Sequence, residues 1–239
     1  MTTTPTPDRT ALVTGASRGL GHALAADLNR GGWRLVLDAR DPGRLTGSVA
    51  GLPHPEQVVA VPGDVADPQH RAALAAAVGP RLDLLVNNAS DLGPSPLPPL
   101  AELAPDALRR ILEVNAVAPL ALLQALLPAL RAARGRVVDI SSDAAVEAYA
   151  GWGGYGASKA ALDQLTAVLA VEHPELRVYA VDPGDMATEM HQAAFPGEDI
   201  SDRPAPETVV PALLALVDGE LASGRYRAAD LPVASGAAR

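Results

Sequence analysis

The octapeptide Thr14-Gly15-Ala16-Ser17-Arg18-Gly19-Leu20-Gly21 follows a short apolar run at residues 11–13 and opens an amphipathic segment at residues 19–29. A strand that turns into a helix through glycines lets the backbone bend tightly and approach a pyrophosphate. The pyrophosphate then rests on the free N–H groups and positive dipole end of the helix. The glycines here are spaced G-x3-G-x-G, not in the general G-x-G-x-x-G order. In a chain with 21 glycines, three at one turn carry little weight alone; their place directly after the first strand gives them meaning.

Outward from that turn, short apolar runs alternate with longer Ala/Leu-rich segments, the pattern of repeated β-α units and a parallel sheet. Runs at residues 11–13, 34–37, 57–61, 82–86, 136–140, 177–181 and 226–228 predict seven strands. Residues 19–29, 68–78, 105–131 (with a break near 115–119), 154–172 and 206–216 predict the helices. The expected fold is α/β, a doubly wound sheet of about seven parallel strands flanked by helices, in a single domain over residues 10–228. Residues 1–9, rich in Thr and Pro, read as a disordered lead-in and not as a signal peptide, and residues 229–239 read as a tail. Gly/Pro clusters mark loops at residues 92–99 and 195–206, and the second is long enough for a lid.

The chain has 239 residues, a formal net charge of -9 and no cysteine. The acidic balance argues against nucleic-acid binding, which needs a basic footprint, and against acidic membranes. The longest apolar stretch, residues 116–130, is interrupted by Pro119, Gln124 and Pro128 and falls short of the roughly 18 residues a spanning helix needs. Without cysteine there is no disulfide framework, thiolate zinc site or thiol nucleophile, which fits a cytoplasmic protein. Five scattered histidines give no metal-site spacing. Of the 19 basic residues, 18 are arginine; the single lysine, Lys159, stands four residues after Tyr155. On a helix the two share one face. Arginine replaces lysine at most solvated positions, but not where a compact, proton-exchanging ammonium is required. Such an ammonium is expected to draw the Tyr155 phenol from its ordinary pKa toward about 7, a differential stabilisation of about 4 kcal/mol. Asparagine is nearly as scarce, at Asn29, Asn87, Asn88 and Asn115.

Further motifs fall in order along the chain: Asn87-Asn88-Ala89-Ser90 after the fourth strand, Ser142 thirteen residues before Tyr155, Tyr155-Gly156-Ala157-Ser158-Lys159, and Pro183-Gly184-Asp185-Met186-Ala187-Thr188 after the sixth strand. Together with the T-G-x-x-x-G-x-G loop they resemble the short-chain dehydrogenase/reductase family over residues 10–228. Ser90 replaces the glycine of the family's N-N-A-G. The resemblance implies a Rossmann-type fold carrying an Asn115-Ser142-Tyr155-Lys159 tetrad. Ser142 would orient the substrate oxygen, or Ser141 if the strand ends one residue earlier. Tyr155 would be the acid-base group, and Lys159 would hold ribose hydroxyls and exchange protons. Asn115 would distort its helix and hold a water that links the lysine to solvent.

A nicotinamide cofactor is implied as well, held by Gly15, Ser17, Arg18, Gly19, Leu20, Gly21, Arg40, Asp64, Val65, Asn88, Ala89, Tyr155, Lys159, Pro183, Gly184, Met186 and Thr188. Asp64 would take the adenine amino group, and Thr188 the carboxamide or a phosphate. Relatives that prefer NAD place an acid where this chain has Ala39; Asp38 comes one residue early and, by strand alternation, points elsewhere. Arg18 and Arg40 offer planar forks for a 2′-phosphate, so NADP(H) is the expected cofactor. The competing reading has Asp38 on the ribose hydroxyls and NAD(H) bound. Residues 185–206 should cover the substrate, with Tyr149, Trp152, Met190, His191 and Phe195 as candidate pocket liners. The implied activity is hydride transfer between the nicotinamide and a small-molecule carbonyl or alcohol, in a homodimer or homotetramer. The alternatives are an NAD-dependent alcohol dehydrogenase of the same family and an NADP-binding sensor without useful turnover, and an intact tetrad argues against the sensor.

Overall fold

The computed structural model describes residues 9–232. The apolar runs pair as seven parallel strands: β1 (Thr10–Val13), β2 (Arg34–Ala39), β3 (Val58–Pro62), β4 (Leu84–Asn87), β5 (Arg136–Ile140), β6 (Arg177–Asp182) and β7 (Gly224–Arg227). Their order in the sheet is β3-β2-β1-β4-β5-β6-β7, the doubly wound arrangement expected. The helices are α1 (Gly19–Arg30), α2 (Pro42–Ala50), α3 (Pro68–Val78), α4 (Pro105–Leu112), α5 (Ala118–Ala133), α6 (Gly153–Glu172), α7 (Glu189–Ala194) and α8 (Val210–Asp218).

Successive side chains of a strand point to opposite faces, and here both faces are covered. Val13, Leu37, Val86 and Val138 pack with Leu24 and Leu28 of α1 and Leu213 and Leu216 of α8. Leu12, Val36, Leu85 and Val137 pack with Leu74 of α3, Leu122 and Leu126 of α5 and Leu169 of α6. Burial on both faces is why these strands read as unbroken apolar runs. The two edge strands are exceptions: β3 is an apolar run although its side chains are half-buried or exposed, and β7 is not an apolar run at all. β7 pairs with β6 from Gly224, two residues before the predicted start, and its side chains are half-buried or exposed, so no apolar run marks its beginning.

Two helices depart from the sequence expectation. In α2, Leu45 is the one buried residue, so no apolar stripe announces it; Asp41 starts it by accepting the Arg44 N–H at 3.0 Å, with Pro42 at the first helical position. The second is α7, a helix not expected in the predicted substrate cover of residues 185–206, capped by Thr188, whose Oγ1 accepts the His191 N–H at 3.1 Å. The expected break near Asn115 is a π-helical turn, Glu113–Val117, between α4 and α5. Pro119 has no N–H to offer the carbonyl four residues back, that of Asn115, so a regular ladder cannot run through. The continuous run Pro105–Ala133 is long and apolar enough by composition to cross a membrane, which corrects the reading of residues 116–130 as too short; half of its most apolar window is buried inside the fold. Leu231 is buried in the core with α1 and α8, so the packed domain continues past residue 228. Of the predicted lead-in and tail, residues 1–8 and 233–239 lie outside the described residues.

Candidate active site

β1 and β4 are neighbours whose connections leave toward opposite edges of the sheet, and their C-terminal ends open a crevice at that crossover. The glycine loop is pressed into it. Gly15 has φ +66, and a Cβ there would stand 2.9 Å from the Ala89 Cα; a Cβ on Gly21 would stand 2.6 Å from the Gly15 carbonyl oxygen. Asn88 ties the loop to the end of β4, its Nδ2 donating to the carbonyls of Thr14 (2.8 Å) and Gly15 (3.1 Å). The Thr14 hydroxyl accepts the N–H groups of Asn88 and Ala89 in return. Asp38 is buried beneath the loop. One of its oxygens accepts the Gly15 N–H at 2.8 Å and the other meets His70 Nε2 at 3.0 Å. At the start of α1, Arg18 makes no side-chain cap and the first turn holds no acid, so the free N–H groups face the crevice.

The crevice is a cavity of about 750 Å³ that runs from Arg40 and Arg44, along the glycine loop, to Ser142, Tyr155 and Lys159 and on to Met190 and Phe195. It gathers the predicted site residues on its walls except two. Gly21 is buried behind the loop, where its role is to leave room, and Asn115 lies behind Ser90. Asp64 is on the wall but already engaged, accepting Arg110 Nη2 at 2.6 Å and the Ala66 N–H at 2.9 Å. Burial alone would raise its pKa; the Ala66 N–H and the Arg110 guanidinium outweigh that and hold the carboxyl below its usual range.

At the far end of the cavity Tyr155 and Lys159 lie one turn apart on the buried face of α6. Lys159 Nζ donates to the Ile140 carbonyl at 2.6 Å and stands 5.4 Å from the centre of the Tyr155 ring. Burial pushes the ammonium down to about 8, against the pull of Asp139 and Asp163. The expectation that Lys159 draws the Tyr155 phenol toward neutrality is not met. Burial raises that phenol, Asp182 and Asp143 add to the rise, and hydrogen bonds from Ser90 and Ser142 oppose it only in part. The lysine has turned its charge to a backbone carbonyl instead. β5 ends at Ile140, and of the two serines after it Ser142 is the one that counts among the groups acting on the Tyr155 phenol, while its Oγ donates to Asp143 Oδ1 at 3.0 Å. Its Oγ also accepts the Ala144 N–H at 3.1 Å, and its carbonyl accepts Arg225 Nη2 at 2.9 Å. The Asn115 amide is fully used: Oδ1 accepts from Asp91 N–H and Ser90 Oγ, and Nδ2 donates to Asp91 O and Ser158 Oγ.

The five candidate pocket liners surround this end. Trp152 packs edge-on to Tyr155 and against Phe195, at 5.7 and 5.9 Å between ring centres, and His191 stacks on Phe195 at 4.9 Å. The Tyr149 hydroxyl is shared by Glu147 and Asp143, carboxylates that hold the phenol protonated. Thr188 caps α7. The sequence reading missed Arg44, Arg110, Ser90 and Glu189 on these walls. Of these, Arg44 had a local signal in the Asp41-Pro42 helix start, and Ser90 stood in the Asn87-Asn88-Ala89-Ser90 motif without being read as a site residue.

A glycine-lined crevice at the crossover of a doubly wound sheet, with a buried Tyr-Lys pair at its far end, defines a Rossmann-type oxidoreductase. The family model described as short chain dehydrogenase matches residues 9–199. The oxidoreductase YciK of Escherichia coli is 34% identical over 220 residues, covering 88% of this chain and 86% of the relative. L-xylulose reductase of Bos taurus is 36% identical over 191 residues, covering 78% and 75%. Among solved structures, a short chain dehydrogenase from Shigella flexneri complexed with NADP superposes with a TM-score of 0.85 at 32% identity, over 93% of this chain and 97% of that one. The chain belongs to the short-chain dehydrogenase family of oxidoreductases.

Proposed function

We propose that the protein is an NADP(H)-dependent carbonyl reductase that works through Ser142, Tyr155, Lys159 and Asn115. The observation that carries this reading is one cavity with an uncapped helix start and Arg40 at one end and Ser142, Tyr155 and Lys159 at the other. The residues present fit a nicotinamide dinucleotide: the glycine loop has no room for side chains on its packed side, and the buried Ser141 Oγ on the cavity wall has no protein partner. Similarity to a reductase of a keto sugar and to a structure holding NADP points the same way.

The free N–H groups of α1 would hold the pyrophosphate and the guanidiniums of Arg18 and Arg40 a 2′-phosphate. When bound, the nicotinamide supplies the hydride. Ser142 would donate a hydrogen bond to the carbonyl oxygen, and Tyr155, kept as a neutral phenol by burial, would give that oxygen its proton. Lys159, with its pKa brought down to about 8, would exchange the proton that Tyr155 gives up. Asn115, fixed by its four hydrogen bonds, would hold the π-helical turn against α6 through Ser158 and, with that turn, a water that links Lys159 to solvent. Acting in the cytoplasm and as a homo-oligomer belongs to the same reading; Val117 at the end of the π-helical turn, Leu120 on α5 and Val168 and Val171 on α6 are apolar and exposed.

Tyr155→Phe tests it. NADPH oxidation with a panel of ketones, aldehydes and keto sugars should fall by about 10²- to 10⁴-fold while NADPH affinity stays within about twofold. Retained turnover would overturn the mechanism, and a wild-type protein that binds no NADPH would overturn the cofactor.

A further inference from the structure

One carboxylate crosses the phosphate end of the cavity. The oxygens of Glu189, at the start of α7, lie 2.9 and 3.1 Å from Arg44 Nη1 on α2, and Oε2 also accepts Arg18 Nη1 from the glycine loop. All three side chains line the cavity beside Arg40. The preceding residue is seated too, since a Cβ on Gly19 would lie 3.5 Å from Thr188 Cγ2. The beginning of the lid is thus strapped to the nucleotide side of the site by one acidic residue.

The strap is weak by construction. The side chains of Arg18, Arg44 and Glu189 are 49%, 53% and 57% exposed, and exposed ion pairs hold only weakly because water and salt screen them. A phosphate monoester brings close to two charges and three acceptor oxygens to the same planar forks, where a carboxylate brings one charge and two oxygens. We infer that Glu189 is a specificity-determining residue for the cofactor: it holds the guanidiniums of Arg18 and Arg44, and the 2′-phosphate of NADP(H) displaces it. This inference rests on the proposed cofactor. A nucleotide without a 2′-phosphate offers those guanidiniums nothing and leaves the strap in place. Selection of the phosphorylated nucleotide and release of the lid at this point are then one equilibrium, because the phosphate binds better to the unstrapped arrangement.

The test is direct binding of NADPH, NADH and 2′,5′-ADP, by fluorescence or calorimetry, to the wild type and to Glu189→Gln. The variant should bind NADPH and 2′,5′-ADP about three- to tenfold more tightly, with NADH changed less than about twofold. Arg44→Ala should weaken NADPH several-fold both alone and together with Glu189→Gln. An equal change for NADPH and NADH, weaker NADPH binding by Glu189→Gln, or no effect of Arg44→Ala would overturn the role of Glu189. If the wild type binds neither dinucleotide, the cofactor reading itself fails. If the wild type prefers NADPH and Glu189→Gln leaves that preference unchanged, only the strap fails. Glu189 is exposed, and unchanged Tm values for the variants would show that folding is not what moved.

Discussion

At the glycine-loop end the packed side of the wall is main chain: the loop itself, the N–H groups opening α1, and the Thr14–Asn88 and Asp38–Gly15 bonds that clamp them to the sheet. At the far end the wall is side chains, brought by β5, α6 and α7 and held by ring contacts among Trp152, Tyr155, His191 and Phe195, while the exposed ion pairs of Glu189 join the start of α7 to Arg18 and Arg44 at the glycine-loop end. A wall made of backbone tolerates little, because a single added atom collides with atoms that cannot rotate away. A wall made of side chains can repack, so the second end can vary its ligand while the first keeps one. Substitutions at the two ends should differ accordingly.

The largest effect is expected from Gly21→Ala. Its Cβ would sit 2.6 Å from the Gly15 carbonyl oxygen and against the Asn88 amide, so the loop must move; overpacking of this kind costs about 1–3 kcal/mol, and NADPH affinity should drop by about 10- to 100-fold with a lower Tm. Unchanged affinity would mean that the loop is not clamped as described. Next, Arg40→Asp replaces an exposed fork by a like charge and should swing the NADPH/NADH ratio of kcat/KM by about tenfold or more toward NADH; a constant ratio would remove Arg40 from the 2′-phosphate site.

Titration separates the ends again. Lys159 is protonated below its pKa of about 8, so the rate of carbonyl reduction should fall about fivefold between pH 8 and 9 as the ammonium is lost. Backbone N–H groups and arginines do not titrate in that range, and NADPH affinity should hold over the same interval; a parallel loss of both would undo the contrast. The smallest effect is expected at the lid. Phe195→Ala removes a half-buried ring from Trp152 and His191, which should raise the KM of bulky carbonyls about two- to fivefold and leave kcat and NADPH affinity nearly unchanged.

What could be read in the sequence follows the same division. Strands buried on both faces leave unbroken apolar runs, and a loop pressed against the end of β4 leaves glycines, so the parallel strands and the Gly15–Gly21 turn were legible from local residues. The lone Lys159 was legible because a biased composition left it conspicuous. Glu189 was not: its partners Arg18 and Arg44 are 171 and 145 residues away, and nothing local marks an exposed glutamate as a strap. Arg110, Ser90 and the four bonds of the Asn115 amide are likewise contacts between elements distant in the chain. The helix α2 was missed because with one buried residue it lacks the periodicity that signals a helix. The behaviour of Tyr155 turned on burial, which a motif does not state.

The single lysine of the chain is 2% exposed, locked on the Ile140 carbonyl. The folded surface therefore presents no side-chain amine to an acylating label, a cross-linker or a coupling resin. Lys159 meets only the inner end of the cavity, so the rate at which a small activated ester marks this one nitrogen is a clock for passage to that depth, read at a single atom.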